Sequence, residues 1–179
     1  MNKKKKKKKN IKPVANIINS AFQSTKGRNF AGLTDLLTFG GETVAWGRLV
    51  NPPNSKVCLF FDFFTLTNFS SSPYTADLFV DAIPPGEILV SSNVGNLNTN
   101  FANKFPVGQL QFNPGVDGEL IGGVNTALRR VPANETVTSG QISGKIIIAP
   151  GNSILFFLTS NEVVNARIGF EWWEGKNIF

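Results

Sequence analysis

The side chains most able to do chemistry in this chain are lysines, and what they offer is electrostatic. Lys3, Lys4, Lys5, Lys6, Lys7, Lys8 and Lys9 form one run with Lys12 behind it, which places 8 of the 18 basic residues in the first 12 positions. The rest of the chain holds 10 basic against 12 acidic groups, so the formal net charge of +6 divides into an arm of +8 and a body of −2. Blocks of like charge repel one another, stay solvated and act as tails. Such an arm can neutralise phosphates of a nucleic acid, with affinity falling steeply in salt. It can equally hold to an anionic membrane or polymer surface, or serve as a solvated assembly tail. The body adds only the doublet Arg129-Arg130, without an aromatic-interleaved basic patch to extend a nucleic-acid footprint.

Catalytic chemistry finds little to stand on. Histidine is absent, which removes the commonest general base and every Ser-His or Cys-His pair. The single cysteine, Cys58, lies in an apolar run and reads as a small buried hydrophobe; it cannot form an intramolecular disulfide or a cysteine-based zinc site. Asp77 with Asp81, Asp117 with Glu119, and Glu171 with Glu174 are local carboxylate pairs, a pattern that two-carboxylate hydrolysis can use. Their spacing favours solvated faces instead. Asn113, Asp117 and Glu119 are oxygen ligands on one stretch, but lack the dense spacing of a calcium loop. The expectation is a protein that is not an enzyme, with no catalytic residue, cofactor or metal.

These groups must be carried by strands. Sixteen phenylalanines, 17 glycines and 10 prolines with 17% charged residues suit strands and turns. Alternation predicts strands at Thr43 to Val50, Val57 to Asn68, Tyr74 to Ala82, Val107 to Phe112, Gln141 to Ala149, Ser153 to Ser160 and Val163 to Trp173. Asn51-Pro52-Pro53-Asn54 stops the first, because two prolines remove two ladder donors. Pro150-Gly151 reads as a type II turn closing a hairpin over Ile146 to Leu158. Ser91 to Lys104 reads as a long asparagine-rich loop, and Asn113 to Gly118 as a double turn. Before the strands, Val14, Ile17, Ile18, Ala21 and Phe22 share one helical face within Ile11 to Phe22, and Lys26-Gly27-Arg28 reads as a hinge. The predicted architecture is all-β: one antiparallel β-sandwich of jelly-roll type over residues 29–179, behind a basic, partly helical N-terminal arm over residues 1–28.

Several greasy surfaces exceed what a monomer needs. In Val57 to Asn68 one face carries Val57, Leu59, Phe61, Phe63 and Thr65; the other carries Cys58, Phe60, Phe64 and Leu66. Of Trp172 and Trp173, one faces the core with Phe170 and the other faces out. Val14, Ile17, Ile18, Phe22, Phe60, Phe64 and Trp173 are therefore the self-association candidates, and a second copy of the chain is the expected partner. No apolar stretch of signal-peptide type follows the lysines, so synthesis in the cytoplasm is expected. No run reaches the length of a membrane span.

Three segments carry a resemblance: Leu49-Val50-Asn51-Pro52-Pro53-Asn54-Ser55, the run Thr65-Leu66-Thr67-Asn68-Phe69-Ser70, and Ala166-Arg167-Ile168-Gly169-Phe170-Glu171-Trp172-Trp173-Glu174. Together they resemble a family of small uncharacterised proteins from endospore-forming bacteria, known only as a domain of unknown function. The resemblance transfers no catalytic residue. More loosely, a β-sandwich behind an N-terminal arm is similar to endospore appendage subunits, jelly-roll proteins that stack into fibres. It implies a structural role at a spore or cell surface, although those arms carry cysteines and this one carries lysines. Viral coat proteins share the layout of basic arm, short helix and jelly roll, which leaves a nucleic-acid-binding shell protein as the alternative.

Overall fold

The computed structural model describes residues 19–139 and 144–176. A short helix, α1 (Asn19–Thr25), precedes the strands β1 (Asn29–Leu33), β2 (Leu37–Phe39), β3 (Val44–Val50), β4 (Val57–Asn68), β5 (Tyr74–Val80), β6 (Leu89–Val90) and β7 (Val94–Asn96). A 3-10 turn at Thr99–Phe101 leads to β8 (Gln109–Val116), β9 (Val124–Val131), β10 (Thr136–Thr138), β11 (Ile146–Ile148), β12 (Ser153–Thr159) and β13 (Val164–Lys176). They form two antiparallel sheets packed as a β-sandwich. Sheet 1 runs β10-β4-β13-β1-β7, with β11 also on β4 and β2 also on β13; sheet 2 runs β6-β8-β3-β12-β5-β9.

The core is the interdigitated inner faces. Sheet 1 contributes Phe30, Leu59, Phe61, Phe64, Leu66, Ile168, Phe170 and Trp172; sheet 2 contributes Leu49, Leu78, Leu110, Phe112, Ile154, Phe156 and Leu158. Phe156 joins the layers, with ring centroids 4.7 Å from Phe64 and 5.8 Å from Phe170. Each fully buried aromatic or aliphatic side chain of this kind contributes about 1.5–3 kcal/mol relative to exposure.

The two-faced pattern of β4 resolves into a bulge. Phe63 pairs with Glu171 and Phe61 with Trp172, so Asp62 is the extra residue. One extra residue inverts the alternation beyond it. Leu59, Phe61, Phe64 and Leu66 consequently all face the core, while Cys58, Phe60, Phe63 and Thr65 face outward; the expected grouping of Phe64 with Phe60 is corrected on this point.

Three further expectations change. Ala149 to Asn152 does turn, with Asn152 N donating to Ala149 O at 3.1 Å and Gly151 at φ 89°. It is not a hairpin, however, because β11 pairs with β4 in sheet 1 while β12 pairs with β3 and β5 in sheet 2; the turn carries the chain between layers. Asn113 to Val116 is strand rather than double turn. Pro114 is tolerated there because β6 ends its pairing at Phe112, leaving that part of β8 without a strand partner on that side among the described residues. Of Gln141 to Ala149, only Ile146–Ile148 is strand, and residues 140–143 lie outside the described residues.

The asparagine-rich stretch is a clamp rather than an open loop. Asn96 Nδ2 donates to Gly27 O at 3.0 Å and Asn98 Nδ2 to Ser24 O at 2.9 Å, while Asn98 Oδ1 caps the 3-10 turn by accepting from Asn100 N. Gly27, at φ 60°, is buried against the Phe101 ring, where a Cβ would collide. The expected hinge is thus a packed junction.

Candidate functional site

Of the carboxylates singled out for possible chemistry, Asp117 and Glu119 are exposed, whereas Asp77 and Asp81 are used structurally. Asp81, at φ 56°, accepts from Ser153 N at 2.8 Å and Asn152 Nδ2 at 3.1 Å, and Asp77 accepts from Asn125 Nδ2 at 2.8 Å. Asn113 is committed too, donating to Glu87 O and accepting from Gly115 N. Among the described residues no group of three or more Cys, Asp or Glu side chains could hold a metal ion.

Glu174 is a correction, since it is 8% exposed rather than on a solvated face. Its Oε1 accepts from Val107 N at 2.7 Å and Gly108 N at 2.9 Å, closing one end of the sandwich over Trp172. Burial pushes its carboxyl above the usual range; the two N–H groups and Lys104 oppose that rise. Glu171 on the outer face is also raised by burial, with Asp62 adding to the rise and a hydrogen bond from Asn29 opposing it. Burial likewise raises the Tyr74 phenol and lowers the Arg48 guanidinium.

The self-association candidates separate into four groups. Phe64 lies in the core at 3% exposure and has no outward surface. Phe60 and Trp173 do lie on the outer face of sheet 1, but they stack on each other at 3.6 Å with planes 3° apart, and with Cys58 they form a small second cluster. Each is 7% exposed, so little of either ring is left for a partner. Phe22 on α1 is 46% exposed, with Lys26 Nζ 5.4 Å from its ring centre. Val14, Ile17 and Ile18, like Lys3 to Lys9 and Lys12, lie outside the described residues.

Further open apolar surface lies at the two edges of sheet 2, apart from single exposed residues such as Phe69, Phe105 and Val163. On the β9 side Ile83, Ile121, Val124 and Leu128 are all more than half exposed; on the β6 side Ile88, Leu89 and Val90 are exposed. Among the described residues β9 pairs only with β5, so eight residues of strand leave one row of backbone groups without a neighbouring strand there. Beside it a gap of about 210 Å³ reaches inward past Ala127 and Ile146 to Phe64 and Phe156. β9 was missed because Val124-Asn125-Thr126-Ala127-Leu128-Arg129-Arg130-Val131 has no strict alternation; its one signal is the Gly122-Gly123 turn before it, both at positive φ.

At the opposite end from Glu174, three connections surround a polar cavity of about 460 Å³. The β2–β3 connection supplies Gly41 and Thr43, the β4–β5 connection Ser72 and Pro73, and the β12–β13 connection Ser160, Asn161 and Glu162. The sheet registers set Thr159, Thr75 and Arg130 side by side beneath them.

Fold and surfaces together define a two-layer antiparallel β-sandwich that, among the described residues, exposes apolar side chains at both edges of sheet 2; no helix among the described residues is long and apolar enough to cross a membrane. Against family models the chain matches DUF6143, a family of unknown function, over residues 1–178, and it belongs to that family. Neither the curated proteins nor the solved structures contain a match.

Proposed function

We propose that this protein is a non-enzymatic structural subunit that self-assembles through contacts of its β-sandwich into a layer or filament at a bacterial spore or cell surface. The observation that carries this reading is the pair of exposed, apolar edges on sheet 2. Six strands alternating in direction leave β6 and β9 running oppositely. A second copy displaced sideways without inversion therefore presents its β6 antiparallel to β9, continuing the hydrogen-bonded ladder. Charge agrees, since Glu87 precedes β6 and Arg129 lies on β9. Such head-to-tail contact generates a filament, or a large ring where the rotation between copies closes.

The jelly-roll assignment is supported by the connections, since β3–β4, β4–β5, β9–β10, β11–β12 and β12–β13 all cross between the sheets. The spore or cell-surface setting rests on the three resembling segments, and the lysine arm suits anchoring to a polyanionic surface. The test is electron microscopy and sedimentation of the intact chain beside Leu128→Lys and Val90→Lys. Polymer in the parent and monomer in either variant is expected; monomeric parent protein at high concentration defeats the reading.

The lysine run favours a second reading, a capsid-like shell whose arm binds nucleic acid. Deleting Met1 to Lys12 separates them. A packaging arm supplies nearly all nucleic-acid binding, with a log-log salt slope of several units; an anchoring arm leaves purified protein free of nucleic acid.

A further inference from the structure

We propose that the polar cavity at the β2–β3, β4–β5 and β12–β13 end is a binding site for a neutral polyhydroxylated ligand, a carbohydrate. It carries one guanidinium, Arg130, and one carboxylate, Glu162, and these two form no ion pair with each other although they line the same 460 Å³ space. Arg130 has only donors and Glu162 only acceptors. An anion suited to Arg130 is repelled by Glu162, and a cation suffers the reverse. A sugar hydroxyl both donates and accepts, so adjacent hydroxyls bridge the two without adding charge.

The remaining lining fits the same ligand. Thr75, Thr159 and Asn161 make no side-chain hydrogen bond to another described residue, which leaves two hydroxyls and an amide for neutral polar partners. Pro73 supplies an apolar surface beside them. The walls are fixed in advance by other groups: Ser160 Oγ donates to Pro73 O at 3.2 Å, and Thr43 Oγ1 donates to Gly40 O at 3.1 Å while accepting from Gly40 N at 3.2 Å. A prepared site loses less freedom on binding than a loose one. Gly41 at the rim, φ 65°, has nothing within 4 Å of where a Cβ would stand, so the entrance is open.

The site does not depend on the assembly reading. The experiment screens the full chain on an array of neutral and acidic oligosaccharides, then titrates the best neutral saccharide while recording backbone amide shifts. Inorganic phosphate and glycine serve as anionic and zwitterionic probes. Saturable shifts confined to Gly41, Thr75 and Ser160 to Glu162 are expected. Arg130→Ala and Glu162→Gln, both surface changes checked for folding by circular dichroism, should each weaken the saccharide about tenfold or more. No neutral saccharide shifting these amides at millimolar concentration overturns the proposal. So does binding that survives both substitutions, or phosphate or glycine saturating the site where saccharides do not.

Discussion

β4 and β9 are both long strands, and they live in opposite environments. β4 is flanked by β13 along its length and by β10 and β11 on its other side, and its core row Leu59, Phe61, Phe64 and Leu66 is almost wholly buried. Among the described residues β9 has β5 as its one strand partner, and of its eight residues only Val131 is buried. Residues on β4 and its partner β13 are therefore set by packing, whereas those on β9 are free to answer to a partner. The sharpest way to break this contrast is to truncate one residue on each side. Trp172→Ala, on β13 opposite Phe61 and 6.0 Å from the Phe30 ring, should cost about 3–5 kcal/mol in denaturant unfolding. Leu128→Ala on β9 should stay within about 0.5 kcal/mol in dilute, unassembled protein. Comparable losses at both sites would remove the distinction.

The same contrast explains what could be read from residues alone. Val57–Asn68 was legible to the residue because a run of mostly apolar and β-branched residues, interrupted at Asp62, between Asn-Pro-Pro-Asn and the Phe69 to Pro73 turn has few other uses. Its inner face was not, because a bulge at Asp62 leaves no mark in composition. β9 escaped because an edge strand need not alternate, and β1 and β2 because they are short. Glu174 was within reach: one more step of the alternation past Trp172 places it on the core face. The cavity at the sandwich end was beyond reading, since its polar residues come from three connections and three strands and meet only through long-range register.

A smaller effect sharpens how closely β13 is hemmed in. Gly169 pairs with Leu33 on one side and Thr65 on the other, and a Cβ there would meet Thr65 Oγ1 and approach Leu33 Cδ2 to 3.1 Å. Gly169→Ala should cost about 1–3 kcal/mol by overpacking, read as a lower denaturant midpoint at unchanged slope. A neutral result would mean that these neighbours yield. Smaller again is the outer-face stack. In a double-mutant cycle of Phe60→Leu and Trp173→Leu, the parallel rings should show a coupling of about 1 kcal/mol. Additive losses would make the stack plain burial.

The smallest predicted effect concerns the buried carboxylate beside this strand pair, and its direction is fixed by proton binding. Burial raises the Glu174 carboxyl above its ordinary value of 4.5, so the folded chain holds that proton to higher pH than the unfolded one. Its contribution to stability is full below the unfolded value and is lost as pH rises through the raised one. Glu171 acts in the same direction from the outer face. Glu174→Gln keeps a carbonyl oxygen to accept from both Val107 N and Gly108 N, but carries no charge to desolvate. Unfolding midpoints of the two proteins, taken from pH 4 upward, should diverge, with the glutamine variant gaining on the parent as pH rises and the difference levelling off once the parent carboxyl is ionised. Parallel profiles would show that the two N–H groups and Lys104 offset the cost of burial completely. A parent that gains on the variant with rising pH would show that the carboxylate is preferred in place, reversing the sign of the shift.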